Sequence, residues 1–250
     1  MEKSKYDLTR RELLGAGGTI AALASTQLAT AAASGASFKI PEGIRSANVS
    51  LIASAFGKMG LDAQKYSMTP DIKPLAHSEG TMIGPAITCK WEIGDLDDVE
   101  DINKYVYDPL DQAEAGSIWV IESGTNEIYS MFGDIITQSS KQRGVLGAVT
   151  DGGCRDIDEI QKQGLTVFAK ATIPFGPKGL KPTGANVPIT CGGVDIKPGD
   201  LIVADIDGVI VVPKAHIDEL NNAVAKHLEF ENDVRVKVEA GETLRSAYPY

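Results

Sequence analysis

The apolar positions of this chain switch period several times, and the switches mark its elements. "SANVSLIASAFGKMG" sets Val49, Ile52, Phe56 and Met59 at helical spacing. "PDIKPL" and "GTMIGPAITCKWEIGD" follow with strand-like alternation broken by Gly and Pro. "DINKYVYDPLDQAEAG" reads as a helix and turn, and "SIWVIES", residues 117–123, as a buried strand. "GDIITQSSKQRG" is helical and Gly144 closes it; "VLGAVTD" is an apolar strand. "RDIDEIQKQG" is a short helix closed by Gly164, and "LTVFAKA" is the next strand. "GGVDIKPGDLIVADIDGVIVVP", residues 192–213, sets Val/Ile runs between Gly-Asp and Asp-Gly turns and predicts antiparallel strands. A long charged helix runs from His216 to Ala240, with Leu220, Val224, Leu228 and Val234 among its apolar positions.

Strand, helix, strand, helix, strand is the βαβ pattern, so part of the sheet is expected to be parallel. The antiparallel run that follows makes the sheet mixed and the fold class α/β. With 250 residues, 43% of them apolar, one domain is expected over residues 37–250.

Residues 1–36 read differently. Arg10 and Arg11 precede a mildly apolar Gly/Ala/Thr-rich run that ends in Ala31-Ala32-Ala33. This resembles a twin-arginine export signal with a small-residue cleavage site. The run is too short and too weakly apolar for a spanning helix, so no stable membrane insertion is expected. Export by that route, which carries folded proteins, implies a periplasmic or extracellular location.

A net charge of −10 argues against nucleic acid and anionic membrane surfaces as partners. Cys89, Cys154 and Cys191 form no CxxC pair, which argues against a structural zinc site. One disulfide stays open, without an assignable pairing. His77, His216 and His227 have no ligand spacing and read as surface or capping residues. There is no G-x-S-x-G elbow. There is also no G-x-G-x-G turn opening an early Rossmann unit, which counts against a methyltransferase.

The chemistry concentrates in two loops, each opening a helix. Asp134 stands in the first; Arg155 and Asp156 stand in the second. In a parallel sheet such loops lie at the strands' carboxyl ends, where ligands bind. The amides of Ile135 and Ile136 in the first helical turn carry partial positive charge suited to a carboxylate. Arg155 adds a planar cationic fork. Asp134 and Asp156 offer hard oxygens that suit Mg²⁺ or Mn²⁺. Taken singly, Asp134 also reads as a helix cap, Arg155-Asp156 as a surface pair, and Gly152-Gly153 as a turn. Cys154 reads as a small loop residue.

The "GD" of Gly133-Asp134, twenty residues and then "RD" resemble the spacing of the RraA-like family. That family includes the regulator of ribonuclease activity A and the class II pyruvate aldolases. "RGVLGAVTDGGCRDIDEI", "IKPLAHSEGTMIGPAITC" and "GGVDIKPGDLIVADIDGVIVVP" resemble its central, upstream and downstream segments, in order. The resemblance implies a three-layer RraA-like fold of the swivelling β/β/α type, with a mixed sheet, βαβ units and a long C-terminal helix. It implies a homotrimer or homohexamer with sites at subunit contacts.

For the site, the resemblance implies a divalent metal held mainly by Asp156, partly through waters, with Asp134 in the outer sphere. Arg155 would bind the carboxylate of a small 2-oxo acid, together with the Ile135 and Ile136 amides. Glu231, with Glu229 close behind, matches a glutamate supplied by the neighbouring subunit. The implied activity is cleavage of a 4-hydroxy-2-oxo acid to pyruvate, with oxaloacetate decarboxylation through the same enolate. The alternative is a non-catalytic regulatory or binding protein of the same family. The chain departs from the usual pattern at Glu122 and Ser123, where an aspartate and glycines are commoner. It also lacks an aspartate often found in the early helix.

Overall fold

A computed structural model describes residues 38–77 and 79–248 as twelve strands and seven α-helices, among which the predicted elements recur in order. The twin-arginine segment lies outside the described residues. The strands are β1 (Lys73–Ala76), β2 (Met82–Ile93), β3 (Ile118–Glu122), β4 (Gly147–Thr150), β5 (Gly153–Cys154) and β6 (Thr166–Ala169). They continue as β7 (Ala171–Thr172), β8 (Leu180–Ala185), β9 (Ile189–Cys191), β10 (Val194–Ile196), β11 (Leu201–Asp205) and β12 (Gly208–Val212). The helices are α1 (Glu42–Arg45), α2 (Val49–Lys58), α3 (Tyr107–Asp111), α4 (Asp134–Gln142), α5 (Ile157–Gln163), α6 (Ile217–Glu239) and α7 (Leu244–Ala247).

The main sheet runs β1-β6-β4-β3-β2-β11-β12. Its centre is parallel: β2 pairs with β3, β3 with β4, and β4 with β6. Its flanks are antiparallel, through β1 on β6 and β11 on both β2 and β12. The sheet is therefore mixed, as the switch of pattern along the chain predicts. β2 is twelve residues long and holds two partners along one edge. Met82–Pro85 pair with β11, and Cys89–Ile93 pair with β8 across a bulge at Lys90/Trp91. β8 was not expected from the sequence. Its Pro182 and Gly184 obscure the strand, and its pairing with β2 supplies what its propensity lacks.

Alternation on the strands sorts the core into layers. Trp119, Ile121, Ala148 and Val167 face α4 and α5, where they meet Phe132 and Ile160. Ile118, Val120, Val149 and Phe168 face the opposite side and pack on Ile202, Val209, Val211 and the β9–β10 hairpin. Leu201, Val203, Ile210 and Val212 turn outward from that middle layer onto α2 and α6. These are three stacked cores, consistent with a three-layer arrangement. The helices that close them have local causes. The Asn48 side chain accepts from the Leu51 amide at 2.8 Å to start α2. Gly164, at φ 70°, ends α5 in the left-handed region.

The long C-terminal helix spans Ile217–Glu239 and buries Ile217, Leu220, Val224, His227 and Val234 on one face. His227 is thus no surface residue, contrary to its sequence reading. Its spacing from Leu220 and Val224 puts it on the inward stripe. No described helix is long and apolar enough to cross a membrane. All three cysteines are free and buried, so no disulfide forms.

Candidate active site

Both chemistry-bearing loops leave the carboxyl ends of parallel strands. β3 runs through residues 123–133 into α4, and β4 runs through residues 151–156 into α5. Past the sheet, their backbones continue side by side. The Gly153 amide donates to Tyr129 O at 2.8 Å, the Met131 amide to Gly153 O at 2.9 Å, and the Arg155 amide to Phe132 O at 3.3 Å. On the other flank, the Lys170 amide donates to Gly152 O at 2.9 Å and the Ile173 amide to Cys154 O at 3.0 Å. The segment carrying Arg155 is held from both sides, so the guanidinium leaves a fixed backbone. Gly153 permits this closeness: a Cβ there would lie 2.8 Å from Ile173 Cγ2 and 3.0 Å from Ala171 O.

Asp156 comes next, at φ 59° and ψ 34°. A non-glycine residue costs of order 1–3 kcal/mol there unless its surroundings hold it. The conformation aims the carboxylate away from its own helix, whose amides it does not cap. Asp156 Oδ2 lies instead 3.4 Å from the Asp134 amide nitrogen, at the start of α4. The same oxygen lies 3.5 Å from Arg155 Nε. Gly133 lets the three meet, because a Cβ there would collide with Asp156 Oδ2 and sit 3.0 Å from Arg155 Nε.

Gln163, at the end of α5, ties the two helices. Its Nε2 donates to Asp134 O at 3.2 Å and its Oε1 accepts from Thr137 Oγ1 at 3.1 Å. Lys141 Nζ donates to the Gln163 carbonyl. Neither Gly133 nor Gln163 stood out as a functional residue in the sequence. Gly133 was visible only as the first letter of the "GD" pair.

The Arg155 and Asp156 side chains are 50% and 39% exposed. An ion pair that wet contributes about 0–1 kcal/mol to stability. Arg155, Asp134, Ile135 and Ile136 line one cavity of about 670 Å³, within the usual size range for small-molecule sites. Asp156 is not part of that wall and borders it through Arg155 and Asp134. The Asp134 amide is engaged by Asp156, whereas those of Ile135 and Ile136 have no acceptor within their helix. Much of the remaining wall comes from Trp91, Phe132 and the 102–111 segment, which nothing in the sequence connects to the site.

Glu231 stands on α6 and does not line this cavity. Its Oε2 lies 2.7 Å from Arg235 Nη2, and its Oε1 lies 3.4 Å from His227 Nε2. Glu122 and Ser123 lie at the end of β3 and do not line the cavity either. Glu122 Oε2 accepts from the Thr190 amide at 3.2 Å, and burial pushes its carboxyl above the usual range. The Ser123 amide donates to Asp151 Oδ1 at 2.8 Å. Burial drives the Cys154 thiol up to about 12, so Arg155 beside it does not make it a thiolate.

Among the described residues no three His, Cys, Asp or Glu side chains gather into a cage for an ion. Asp156 and Asp134 fit a different mode of binding. They are hard oxygen donors, few in number and open to solvent, which suits a hydrated Mg²⁺ or Mn²⁺ keeping several waters.

The cavity thus lies at the carboxyl ends of parallel strands and is lined by one guanidinium and by helix amides without an intrahelical acceptor. The family model described as Aldolase/RraA matches residues 49–211, and the chain belongs to this RraA-like family. It is 36% identical over 148 residues to a Halalkalibacterium halodurans protein provisionally named 4-hydroxy-4-methyl-2-oxoglutarate aldolase, covering 59% of this chain and 67% of that one. Two solved structures share the fold. An uncharacterized protein of Pseudomonas syringae pv. tomato aligns with TM-score 0.70 at 23% identity, over 83% of this chain and 96% of the other. RraAS2 of Streptomyces coelicolor, described as an unusual member of the RNase ES inhibitor RraA protein family, aligns with TM-score 0.68 at 24% identity. That match covers 78% of this chain and 95% of the other.

Proposed function

We propose that the protein is a divalent-metal-dependent lyase that cleaves a 4-hydroxy-2-oxo acid to pyruvate. The observation that carries this reading is the left-handed turn of Asp156. It presents a carboxylate to the mouth of α4 beside Arg155, at the edge of a ligand-sized cavity. The name of the Halalkalibacterium halodurans relative supports the same class of reaction.

Arg155 binds the substrate's C1 carboxylate in a forked contact, and the Ile135 and Ile136 amides add two charge-assisted donors. Asp156 would hold Mg²⁺ or Mn²⁺, with Asp134 orienting surrounding waters. When bound, the ion supplies Lewis-acid stabilisation of the negative charge that grows on the 2-oxo oxygen. The C3–C4 bond breaks as the 4-hydroxyl loses its proton. C4 becomes the carbonyl carbon of the second product, and C3 keeps the electron pair as the enolate of pyruvate, which then takes up a proton. Oxaloacetate would lose CO₂ through the same enolate.

Glu231 enters this reading as a residue of a trimeric or hexameric assembly, reaching the site of a neighbouring subunit. Residues 1–36 enter it as a twin-arginine signal that places the enzyme in the periplasm or outside the cell. The test is release of pyruvate by the full chain from oxaloacetate and 4-hydroxy-2-oxo acids, with Mg²⁺ or Mn²⁺ and with EDTA. Turnover that EDTA abolishes supports the lyase. A total lack of pyruvate on every substrate leaves a binding protein.

A further inference from the structure

Resting on the lyase reading, we infer that the substrate carries a single carboxylate and an apolar group on C4, so that the second product is an uncharged aldehyde or ketone. The cavity's composition points there. Among the described residues, Arg155 is the one cationic side chain on its wall. Every other charged group there is an acid: Asp108, Asp111 and Asp134. Asp111 is paired with Arg143, 3.5 Å away, and Arg143 does not line the cavity. Among the described residues Asp108 has no such partner, and it is exposed. Asn103, Tyr107 and Ser139 add only neutral polar groups.

The remaining wall is apolar and firm. Trp91, Val106, Leu110 and Phe132 line the cavity while being 6%, 5%, 3% and 5% exposed, and Ile102 and Pro177 extend the surface. Side chains packed this tightly do not swing away to admit water around a charge.

A substrate whose C1 carboxylate occupies Arg155 leaves no second cationic side chain on this chain's wall for another carboxylate. A distal carboxylate would lose hydration against Trp91 and Phe132 and face Asp108 at the same time. An alkyl or aryl group loses nothing by the same move and gains apolar contact. The aldolase activity named for the Halalkalibacterium halodurans relative concerns a dicarboxylate, a derivative of 2-oxoglutarate. This chain's wall selects against that charge.

The experiment measures binding apart from catalysis. 2-Oxo-4-phenylbutanoate and 2-oxoglutarate both lack the 4-hydroxyl and cannot be cleaved, so titration calorimetry of the full chain with Mn²⁺ compares them directly. The expected result is binding of the phenyl acid about tenfold to a hundredfold tighter than 2-oxoglutarate, the range over which shaped pockets discriminate. Asp108→Arg should shift that ratio about tenfold toward 2-oxoglutarate by placing a cation on the wall. Equal affinities, or tighter 2-oxoglutarate, overturn the inference whatever the turnover. A parallel assay follows pyruvate from 4-hydroxy-2-oxo-4-phenylbutanoate and 4-hydroxy-2-oxoglutarate. If the phenyl acid binds preferentially and neither substrate yields pyruvate, the selectivity stands and the lyase reading falls. If neither acid binds, both fall.

Discussion

Asp156 Oδ2 sits 3.4 Å from the amide nitrogen of Asp134, joining the mouths of two successive crossover helices across 22 residues of chain. The contact needs the left-handed backbone of Asp156 and the bare Cα of Gly133 together. It also consumes one first-turn amide of α4 and leaves the next two for a ligand. A carboxylate used only to cap a helix would turn to its own amides, and this one does not.

Gly133 is therefore the cleanest probe of that geometry. Gly133→Ala inserts a methyl group against Asp156 Oδ2 and Arg155 Nε, both on exposed side chains that can shift. Its own backbone is extended, at φ −140°, so alanine adds no conformational strain there. The expected outcome is a fall in kcat/KM of about tenfold or more, with a stability change within about 1 kcal/mol. Steady-state kinetics and urea unfolding check the two halves. An unaltered kcat/KM would show that the Asp156–Arg155 placement is incidental.

Much of this was legible in sequence, and the reasons are specific. Val/Ile runs separated by Gly144 and Gly164 fixed the order of β3, α4, β4, α5 and β6. Asp134, Arg155 and Asp156 announced themselves by standing at the starts of those helices. What lay hidden depends on tertiary pairing. β5 is a two-residue strand held between residues 129–132 and β7, and the equally short β7 is a strand only through its pairing with β5. β8 carries Pro182 and Gly184 and is a strand because β2 is long enough to pair with it. The 102–111 segment reads as helical along the chain, but nothing in sequence shows that its Ile102, Val106 and Leu110 pack in one core with Phe132. By residue type alone His227 reads as a surface residue, whereas its spacing from Leu220 and Val224 puts it on the buried stripe.

The thiols make a pH-dependent prediction. Burial raises Cys89 and Cys154 to about 12 from an ordinary value of 9.0. Cys191, wholly buried, is raised as well. The folded state thus keeps protons that the unfolded state releases above about pH 9, so ionisation favours unfolding there. This contribution to stability is complete below about pH 9 and declines as pH rises toward 12. Urea midpoints should fall over that range in the wild type and fall less in Cys89→Ala. Iodoacetamide at pH 8 should leave all three thiols unmodified in the native protein, as mass spectrometry would register.

The outer helical layer can be tested through Phe56. It is fully buried between α2 and the β11–β12 hairpin, with its ring 4.8 Å from that of Tyr66. Phe56→Ala should cost about 3–5 kcal/mol in denaturant unfolding. A loss below about 1 kcal/mol would mean that α2 does not close this core.

The proposed export signal makes its own prediction. Replacing Arg10 and Arg11 by lysine should retain the protein in the cytoplasm, whereas the unaltered chain should reach the periplasm or medium. Fractionation and immunoblotting decide it. Equal export of both would sink the twin-arginine assignment without touching the site.

The most direct measurement compares the wild type with Asp156→Asn in pyruvate release from a 4-hydroxy-2-oxo acid under saturating Mn²⁺. The substitution keeps size and shape and removes the charge, and a half-exposed pair makes little of the stability. Metal-dependent turnover in the wild type, cut at least about a hundredfold in the variant at an unchanged unfolding midpoint, is the predicted result. Wild-type rates from the asparagine variant would contradict the account.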